Sequence, residues 1–530
     1  MSLFDFLKRA KKAVSVTERQ LRITDVIQQS AVSDIMRDNI DLWYLMYCNK
    51  SPWVHEWSPA KMTECKSLNL AATIARKKAE IATIEMKSAI TSPKDQDGNE
   101  TEATSRVQFL NGEYQDKIIK QSRKQLEFAV ALGGMAIKPY PIQDSTTKKY
   151  SFGIDFIKAN NFFPIAFDGS QKITKAAFVQ QKIEGKKIYS RLEIHELNGS
   201  TATIVNKAYE ADNSLDNRTR SISDLGREIP LSHVPEWAAI APEQKIQNVD
   251  RLLFAYLKMP SANNIDPNSP LGVSGFSRAV NLIQDADEQY SRLLWEFEGG
   301  ELAIDADRDA LTPVPYDDNG TTKLTYVLPK KQQRLMRRSN LDPNAGDMYE
   351  VFSPSLRDDS LNHGLNIILR KIEDTVGLSA GTLSDPTDSV RTATELIINK
   401  QTTYITNRDI QTALKDALED VVYIMDVYCT LYNMVGDVTV SEDGATNSEN
   451  ISDYQVSFDF DDSILTDKTE EYAKDLQDYQ NGIISRVELR MKRKGETRAQ
   501  AEAALALIDQ ERLQAANERL MTEEGNDTGN

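Results

Sequence analysis

Apolar and polar positions alternate with a period that changes several times along the chain, and each change predicts a different element. Residues 17 to 90 read mainly as helix, with a dense apolar stretch (Leu42, Trp43, Tyr44, Leu45, Met46, Tyr47) followed by Ala71 to Ile90, which contains no glycine or proline. The polar segment Thr91 to Arg106 interrupts this pattern and reads as a mobile loop. A helix over about Tyr114 to Leu132 is expected to run into Gly133-Gly134, where the strand-like Met135-Ala-Ile-Lys-Pro-Tyr140 begins. From Ser151 to Ala211 the period falls to two: Phe152, Ile154 and Phe156 alternate with other residues. Asn198-Gly199 separates the strand-like Tyr189–Leu197 and Ala202–Tyr209, which is a strong hairpin signal. A small sheet follows from this, and residues 211 to 228 read as a polar connection.

Between Gly275 and about Glu298 neither glycine nor proline occurs, and Val280, Ile283, Tyr290, Leu294 and Phe297 recur at helical spacing. Gly299-Gly300 stops this helix. Residues 301 to 353 break into short strand-like pieces with turns at Asp318-Asn-Gly320 and Asp342-Pro-Asn-Ala-Gly346. A helix over about Leu356 to Val376 leads to Gly377-Leu-Ser-Ala-Gly-Thr-Leu-Ser-Asp-Pro-Thr-Asp-Ser389, which reads as a flexible loop. Arg391 to Val435 is again free of glycine and proline, with Leu414, Leu418, Val421, Val422 and Met425 on one stripe, and predicts an unusually long helix. Three capping boxes then announce three further helices: Asp467 with Glu470, Ser485 with Glu488, and Thr497 with Gln500, separated by Gly482 and Gly495. Thr522 to Asn530 is polar and expected to be disordered.

These elements make an α+β chain, mainly helical, and 530 residues are too many for one ordinary core. No apolar run approaches the ~18 residues of a membrane helix. The first residues place charge early and do not read as a signal peptide. Leu3, Phe4 and Leu7, with Lys8, Arg9, Lys11 and Lys12 beyond them, read as a short amphipathic helix docking on a partner subunit in preference to a membrane. Cys48, Cys65 and Cys429 are widely separated, which argues against disulfides and thiolate metal sites. A net charge of -17 argues against a broad basic surface for gripping nucleic acid.

Catalytic patterns are missing from the sequence. There is no GxxxxGK[ST], no GxGxxG after a strand, no HExxH and no GxSxG. His55, His195, His233 and His363 lie far apart and read as structural or surface residues. Asp305, Asp307 and Asp309 are the sort of carboxylates a metal-dependent nuclease uses, but a solvated turn is the better reading. Lys330, Lys331, Arg334, Arg337 and Arg338 are the one basic cluster where phosphate contact is plausible, against a solvated or subunit-facing surface. No catalytic residue, metal or cofactor is expected.

The order of elements carries more information than any one motif. Helix, β-rich excursion, returning helix, flexible loop, very long helix and helical C-terminal bundle together resemble the portal proteins of tailed double-stranded DNA phages, those of long-tailed phages of Gram-positive hosts in particular. Local strings agree with this. Leu126-Glu-Phe-Ala-Val-Ala-Leu-Gly-Gly-Met-Ala-Ile-Lys-Pro-Tyr140 resembles the family's helix-to-strand glycine turn, and Asn160-Asn-Phe-Phe-Pro-Ile165 the segment before its wing hairpin. Pro270-Leu-Gly-Val-Ser-Gly275 resembles the approach to its first stem helix, and Val390-Arg-Thr-Ala-Thr-Glu395 the exit from its tunnel loop. Phe458-Asp-Phe-Asp-Asp-Ser-Ile464 and Asn481-Gly-Ile-Ile-Ser-Arg486 resemble the approach to its crown.

The resemblance implies a ring of identical subunits with a central channel, twelve in the virion, at the portal vertex of the capsid. It divides the chain into a wing (1–265), first stem helix (266–300), clip (301–353), second stem helix (354–378), tunnel loop (379–390), long wing helix with a return strand (391–465) and crown (466–530). The implied partners are duplex DNA passing without sequence preference, the terminase large subunit, the head-to-tail adaptor, the major capsid protein and the scaffolding protein, with no membrane. Ser379, Thr382, Ser384, Asp385, Thr387 and Asp388 are the expected DNA-facing residues. Asp285, Glu288, Glu296 and Glu298, with Asp287 and Glu301 beside them, are candidates for an acidic channel wall to which phosphates would not stick. Lys330, Lys331, Arg334, Arg337 and Arg338 are candidates for clip docking. The rivals are another phage head component, such as a minor capsid or scaffold-like protein, and a metal-dependent nuclease.

Overall fold

The computed structural model describes residues 21–22, 32–56, 64–84, 86–93, 104–212, 224–307, 312–318, 321–327, 336–339, 349–385, 393–436, 439–440, 446–447, 454–460, 468–494, 496 and 498–526. Expectations for Leu3 to Lys12, Asp309, Asp342 to Gly346, Asp467 and Thr497 lie outside these residues.

The N-terminal part is less helical than its composition suggests. After strand β1 (Leu21–Arg22), the Ser33 side chain accepts a 3.2 Å hydrogen bond from the Met36 amide and caps helix α1 (Asp34–Tyr47), which buries Met36, Ile40, Trp43 and Met46. Helix α2 (Leu70–Thr83) follows, but the expected helix does not continue to Ile90: Met86–Thr91 is strand β2. Its Ser88 and Ile90 are buried in alternation, which is strand periodicity, and the lack of glycine or proline did not mark the break.

The expected loop to Arg106 also ends early. Thr104 accepts from the Val107 amide and starts helix α3 (Ser105–Lys117), whose second residue is a fully buried Arg106. A 3₁₀ turn at Ile119–Gln121 separates α3 from α4 (Ser122–Leu132), so the single expected helix is two. Helix α4 ends at Gly133, with φ +87°, where a Cβ would lie 2.5 Å from the Gly272 carbonyl oxygen.

Strand β3 (Gly134–Gln143) leaves this turn and pairs with β4 (Tyr150–Lys158). The predicted small sheet is the antiparallel run of β5 (Phe162–Phe167), β6 (Ile173–Glu184), β7 (Lys187–Asn198) and β8 (Thr201–Asp212). Asn198 pairs with Thr201, so Gly199, at φ +60°, and Ser200 form the two-residue loop, one position later than expected. The expected polar connection ends in a strand, β9 (Asp224–Ile229), which pairs with β8 and with β1. Strand β10 (Glu243–Gln247) pairs with β8, and β11 (Ala255–Lys258) completes a three-stranded sheet with β3 and β4.

Helix α5 (Val280–Gly299) follows, preceded by a 3₁₀ turn. The strand-like pieces after it are β12 (Ala303–Asp307), β13 (Thr312–Asp318), β14 (Thr321–Val327), β15 (Met336–Ser339) and β16 (Tyr349–Phe352). β13 and β14 pair antiparallel on either side of the expected turn at Asp318-Asn-Gly320, and β12 lies between a parallel β15 and an antiparallel β16. Asp305 and Asp307 are thus strand residues, not the expected solvated turn. Helix α6 (Asp358–Val376) returns along α5, and α7 (Ala393–Leu431) is a 39-residue helix, about 58 Å long at ~1.5 Å per residue.

The predicted stripe of α7 is the core stripe: Leu414, Leu418, Val421, Val422 and Met425 are all buried. They belong to one continuous hydrophobic cluster with Trp43, Ile74, Val130, Ile137 and Ile283. A short pair, β17 (Thr439–Val440) and β18 (Thr446–Asn447), precedes β19 (Gln455–Phe460), which returns to pair with β2.

Residues Asp461–Asn530 form a second compact unit. It comprises α8 (Lys468–Gln480), α9 (Arg486–Lys494) and α10 (Arg498–Asn526). The capping box at Ser485 is present: the Ser485 amide donates to Glu488 Oε2 at 2.7 Å and the Glu488 amide to Ser485 Oγ at 3.1 Å. Thr522 to Asn526 continue α10 and are not the disordered tail expected of their polarity.

Candidate functional site

Helices α5 and α6 run antiparallel and are pinned near both ends. Glu296, near the end of α5, accepts from Nε and Nη2 of Arg357 at 3.1 and 2.7 Å and from its backbone amide at 3.1 Å. These bonds from Arg357 hold the Glu296 carboxyl below its usual range. Midway, Gln289 Nε2 donates to the Leu361 carbonyl at 3.1 Å. Near the start of α5, Ile283 and, near the end of α6, Ile372 are both in the core.

The acidic residues of α5 therefore separate into different roles. Asp285 and Glu298 are exposed, as is Glu301 beyond the helix, and Glu288 is half-buried, accepting from Gln284 at 3.0 Å beside Arg292. Glu296 departs from the acidic-wall expectation, because it is buried in the bond to Arg357. Asp287 departs as well: it is fully buried and accepts from Trp53 Nε1 at 2.9 Å and from the Leu68 amide at 2.7 Å. Burial pushes its carboxyl upward, against those two hydrogen bonds. The apolar stripe read from the sequence is also only partly a core face, because Phe297 is 44% exposed and its neighbour Trp295 is 66% exposed.

At the end of α6 the chain makes a structured turn where a flexible loop was expected. Gly377 takes φ +75°, its amide bonds to the Asp374 carbonyl and the Leu378 amide to the Glu373 carbonyl at 2.8 Å, a Schellman-type stop. Ser379 Oγ lies 2.6 Å from Thr403 Oγ1 on α7, and Thr382 Oγ1 donates to the Ser379 carbonyl at 2.6 Å. Ser384 is buried and bonds to the carboxylate of Glu373, and Asp385 exchanges two hydrogen bonds with Asn366. Thr387 and Asp388 lie outside the described residues. Glu373 itself was not singled out from the sequence. The available signal was electrostatic: the adjacent acids Glu373 and Asp374 sit at the C-terminal end of a helix, where the dipole disfavours negative charge, so a specific partner is required.

Of the basic cluster, Arg337 and Arg338 are placed on β15, in register with Asp305 and Ala306 of β12. Lys330, Lys331 and Arg334 lie outside the described residues.

Two other groups of charges proved to be internal supports. Lys138 Nζ and Arg191 Nη2 meet Glu193 Oε2 at 2.7 and 3.2 Å, and His195 Nε2 lies 2.7 Å from Glu193 Oε1. Lys138, Arg191 and Glu193 border a cleft of about 330 Å³ between the two sheets, in which the Lys138 ammonium also meets Asp155 at 3.4 Å. Burial opposes ionisation of Glu193, but Lys138, His195 and Arg191 outweigh it and hold the carboxyl well below its usual range. Burial also lowers the pKa of His195. Arg106, on α3, ion-pairs with Asp426 of α7 at 2.8 Å.

Among the described residues no group of three or more His, Cys, Asp or Glu side chains is placed to hold a metal ion, and no helix is long and apolar enough to cross a membrane. A family described as phage portal protein, SPP1 Gp6-like, matches residues 36–516. The chain belongs to the phage portal protein family. Portal proteins are structural components of the phage head, not enzymes. No curated protein matches the portal sequence.

Proposed function

We propose that copies of this chain close head-to-tail into a ring of twelve around an axial channel, through which DNA passes during packaging and ejection. In this reading α5 and α6 are the stem helices, β12 to β16 the clip, residues 379–390 the tunnel segment, α7 the helix spanning the wing and α8 to α10 the crown. The clip receives the terminase motor during packaging and the head-to-tail adaptor afterwards, at the unique vertex of a capsid built from the major capsid and scaffolding proteins.

The observation that carries the reading is the surface of the α5–α6 hairpin. Its clip end carries Trp295, Phe297, Leu302, Val351, Phe352 and Leu356, all of them exposed, and exposed large apolar side chains gathered at one end of a hairpin mark an interaction surface. Neighbouring subunits would cover it. Asp285, Glu298 and Glu301 remain open to solvent on the same hairpin, with Glu288 half-buried beside them, and suit a wall past which phosphates slide.

Negative-stain imaging of the full chain tests this. Top views should show closed rings with a central hole, and a chain that stays monomeric under every assembly condition would overturn the proposal. Rings that form but take up no DNA when residues 379–390 are deleted would support the channel role of that segment, whereas unchanged packaging would exclude it.

A further inference from the structure

The turn after α6 is tied to one carboxylate. Glu373 is 1% exposed, and its Oε1 accepts from the amides of Leu383 and Ser384 while its Oε2 accepts from the Gly381 amide at 3.2 Å and from Ser384 Oγ at 2.9 Å. Three backbone amides therefore converge on a single anion, an arrangement that compensates both its burial and its unfavourable place at a helix C-terminus. The rest of the turn is fastened independently. Asn366 Nδ2 donates to Asp385 Oδ2 at 2.7 Å and the Asp385 amide to Asn366 Oδ1 at 2.9 Å. Leu378 is buried in the main core, Leu383 packs against it, and Ser379 reaches Thr403 of α7.

From this geometry we propose that Glu373 is a positioning residue: it makes residues 378–385 a rigid collar joining α6 to α7, and so fixes the place and direction in which the chain leaves Asp385. The proposal rests on the channel reading for its functional consequence, but not for its structural content. In that reading the collar does not yield when DNA passes. The expected DNA-facing residues then divide, with Ser379, Thr382, Ser384 and Asp385 belonging to the fixed mount.

The test uses the full-length protein and two readouts. Amide exchange over residues 378–385 reports the collar itself, because exchange from a fastened turn requires local opening. Glu373→Gln keeps the side-chain size but turns one acceptor into a donor that faces other donors. Exchange over 378–385 should accelerate roughly 100-fold, with α1 and β3 unchanged. Ser384→Ala, which removes the hydroxyl that donates to Glu373 and accepts from the Gly381 amide at 3.2 Å, should accelerate it roughly 5- to 10-fold and carries the test if the glutamine variant does not fold. Exchange unaltered in both variants, or already at the unstructured-chain rate in the parent, would overturn the collar.

The second readout is DNA packaging by rings of the Glu373→Gln protein, expected to fall at least roughly 10-fold. Normal packaging by rings with a loosened collar would overturn the positioning role. A parent protein that forms no rings would sink the channel reading while leaving the exchange result to decide the collar.

Discussion

The Arg106 guanidinium reaches across 320 positions of sequence to Asp426, with Nε 2.8 Å from Oδ1 and Nη2 2.8 Å from the Asp426 carbonyl oxygen. The same Nη2 also donates to Thr430 Oγ1. With its side chain 1% exposed, the arginine ties α3 to the long helix α7 inside the core. Removing one partner of a buried pair leaves the other charge uncompensated, at a cost of ~3 kcal/mol. Arg106→Met should lower unfolding stability by about that amount. Equilibrium denaturation of the full chain checks it, and a midpoint equal to the parent's would show the pair to be dispensable.

Gly377 is required by its conformation and by its neighbour. At φ +75° a side chain is strained by about 1–2 kcal/mol, and a Cβ would also strike Thr406 on α7. Gly377→Ala should therefore destabilise by more than the conformational cost alone. Combining it with Thr406→Ala should recover the steric part and leave about 1 kcal/mol. Thermal unfolding of the two single variants and the double variant separates these contributions; strict additivity would refute the clash.

Acid should weaken the sheets that carry Lys138 and Glu193 in two stages. His195 is buried against Glu193 between Phe178 and Phe254, and its folded pKa lies below the ordinary 6.5. Below pH 6.5 the unfolded chain takes up a proton that the folded chain refuses, so the stability from a neutral His195 is complete above that pH and declines beneath it. Glu193, faced also by Lys138 and Arg191, is held below its ordinary 4.5, and its contribution is complete above that value and declines as pH falls further. Stability should drop by up to about 1.4 kcal/mol per pH unit for each proton. His195→Asn should flatten the first stage and Glu193→Gln the second, as read from unfolding midpoints between pH 7 and 3.

In the C-terminal unit, Ser485 caps α9 by accepting from the Glu488 amide at 3.1 Å. Ser485→Ala should cost the helix about 1 kcal/mol, visible as faster amide exchange in Arg486–Lys494. Ser485→Asp should restore protection, because aspartate accepts the same bond.

Much of this fold was written in local pattern. The long helix announced itself by 45 positions without glycine or proline, of which Ala393–Leu431 are helical. The β7–β8 hairpin was marked by Asn198-Gly199 and the α9 cap by Ser485 and Glu488. Where the reading failed, the deciding information was nonlocal. Met86–Thr91 is helix-compatible by composition and becomes a strand because Gln455–Phe460 arrives to pair with it. Glu296 and Asp287 look alike as acids on one helix, yet Arg357 takes up the first and Trp53 with Leu68 the second. The small, polar residues after Gly377 suggested freedom, and it is a carboxylate on the preceding helix that removes it.

The pairing of β2 with β19 also has a bearing on how the molecule comes into being. Ser457 Oγ donates to the Ala89 carbonyl across 368 positions, so a ribosome must make most of the polypeptide before the early strand finds its complement. Until then Met86–Thr91 presents open amides and carbonyls to any other nascent chain nearby. Prematurely terminated products would keep that adhesive border, and a head under assembly would meet them as aggregates, not as defective building blocks.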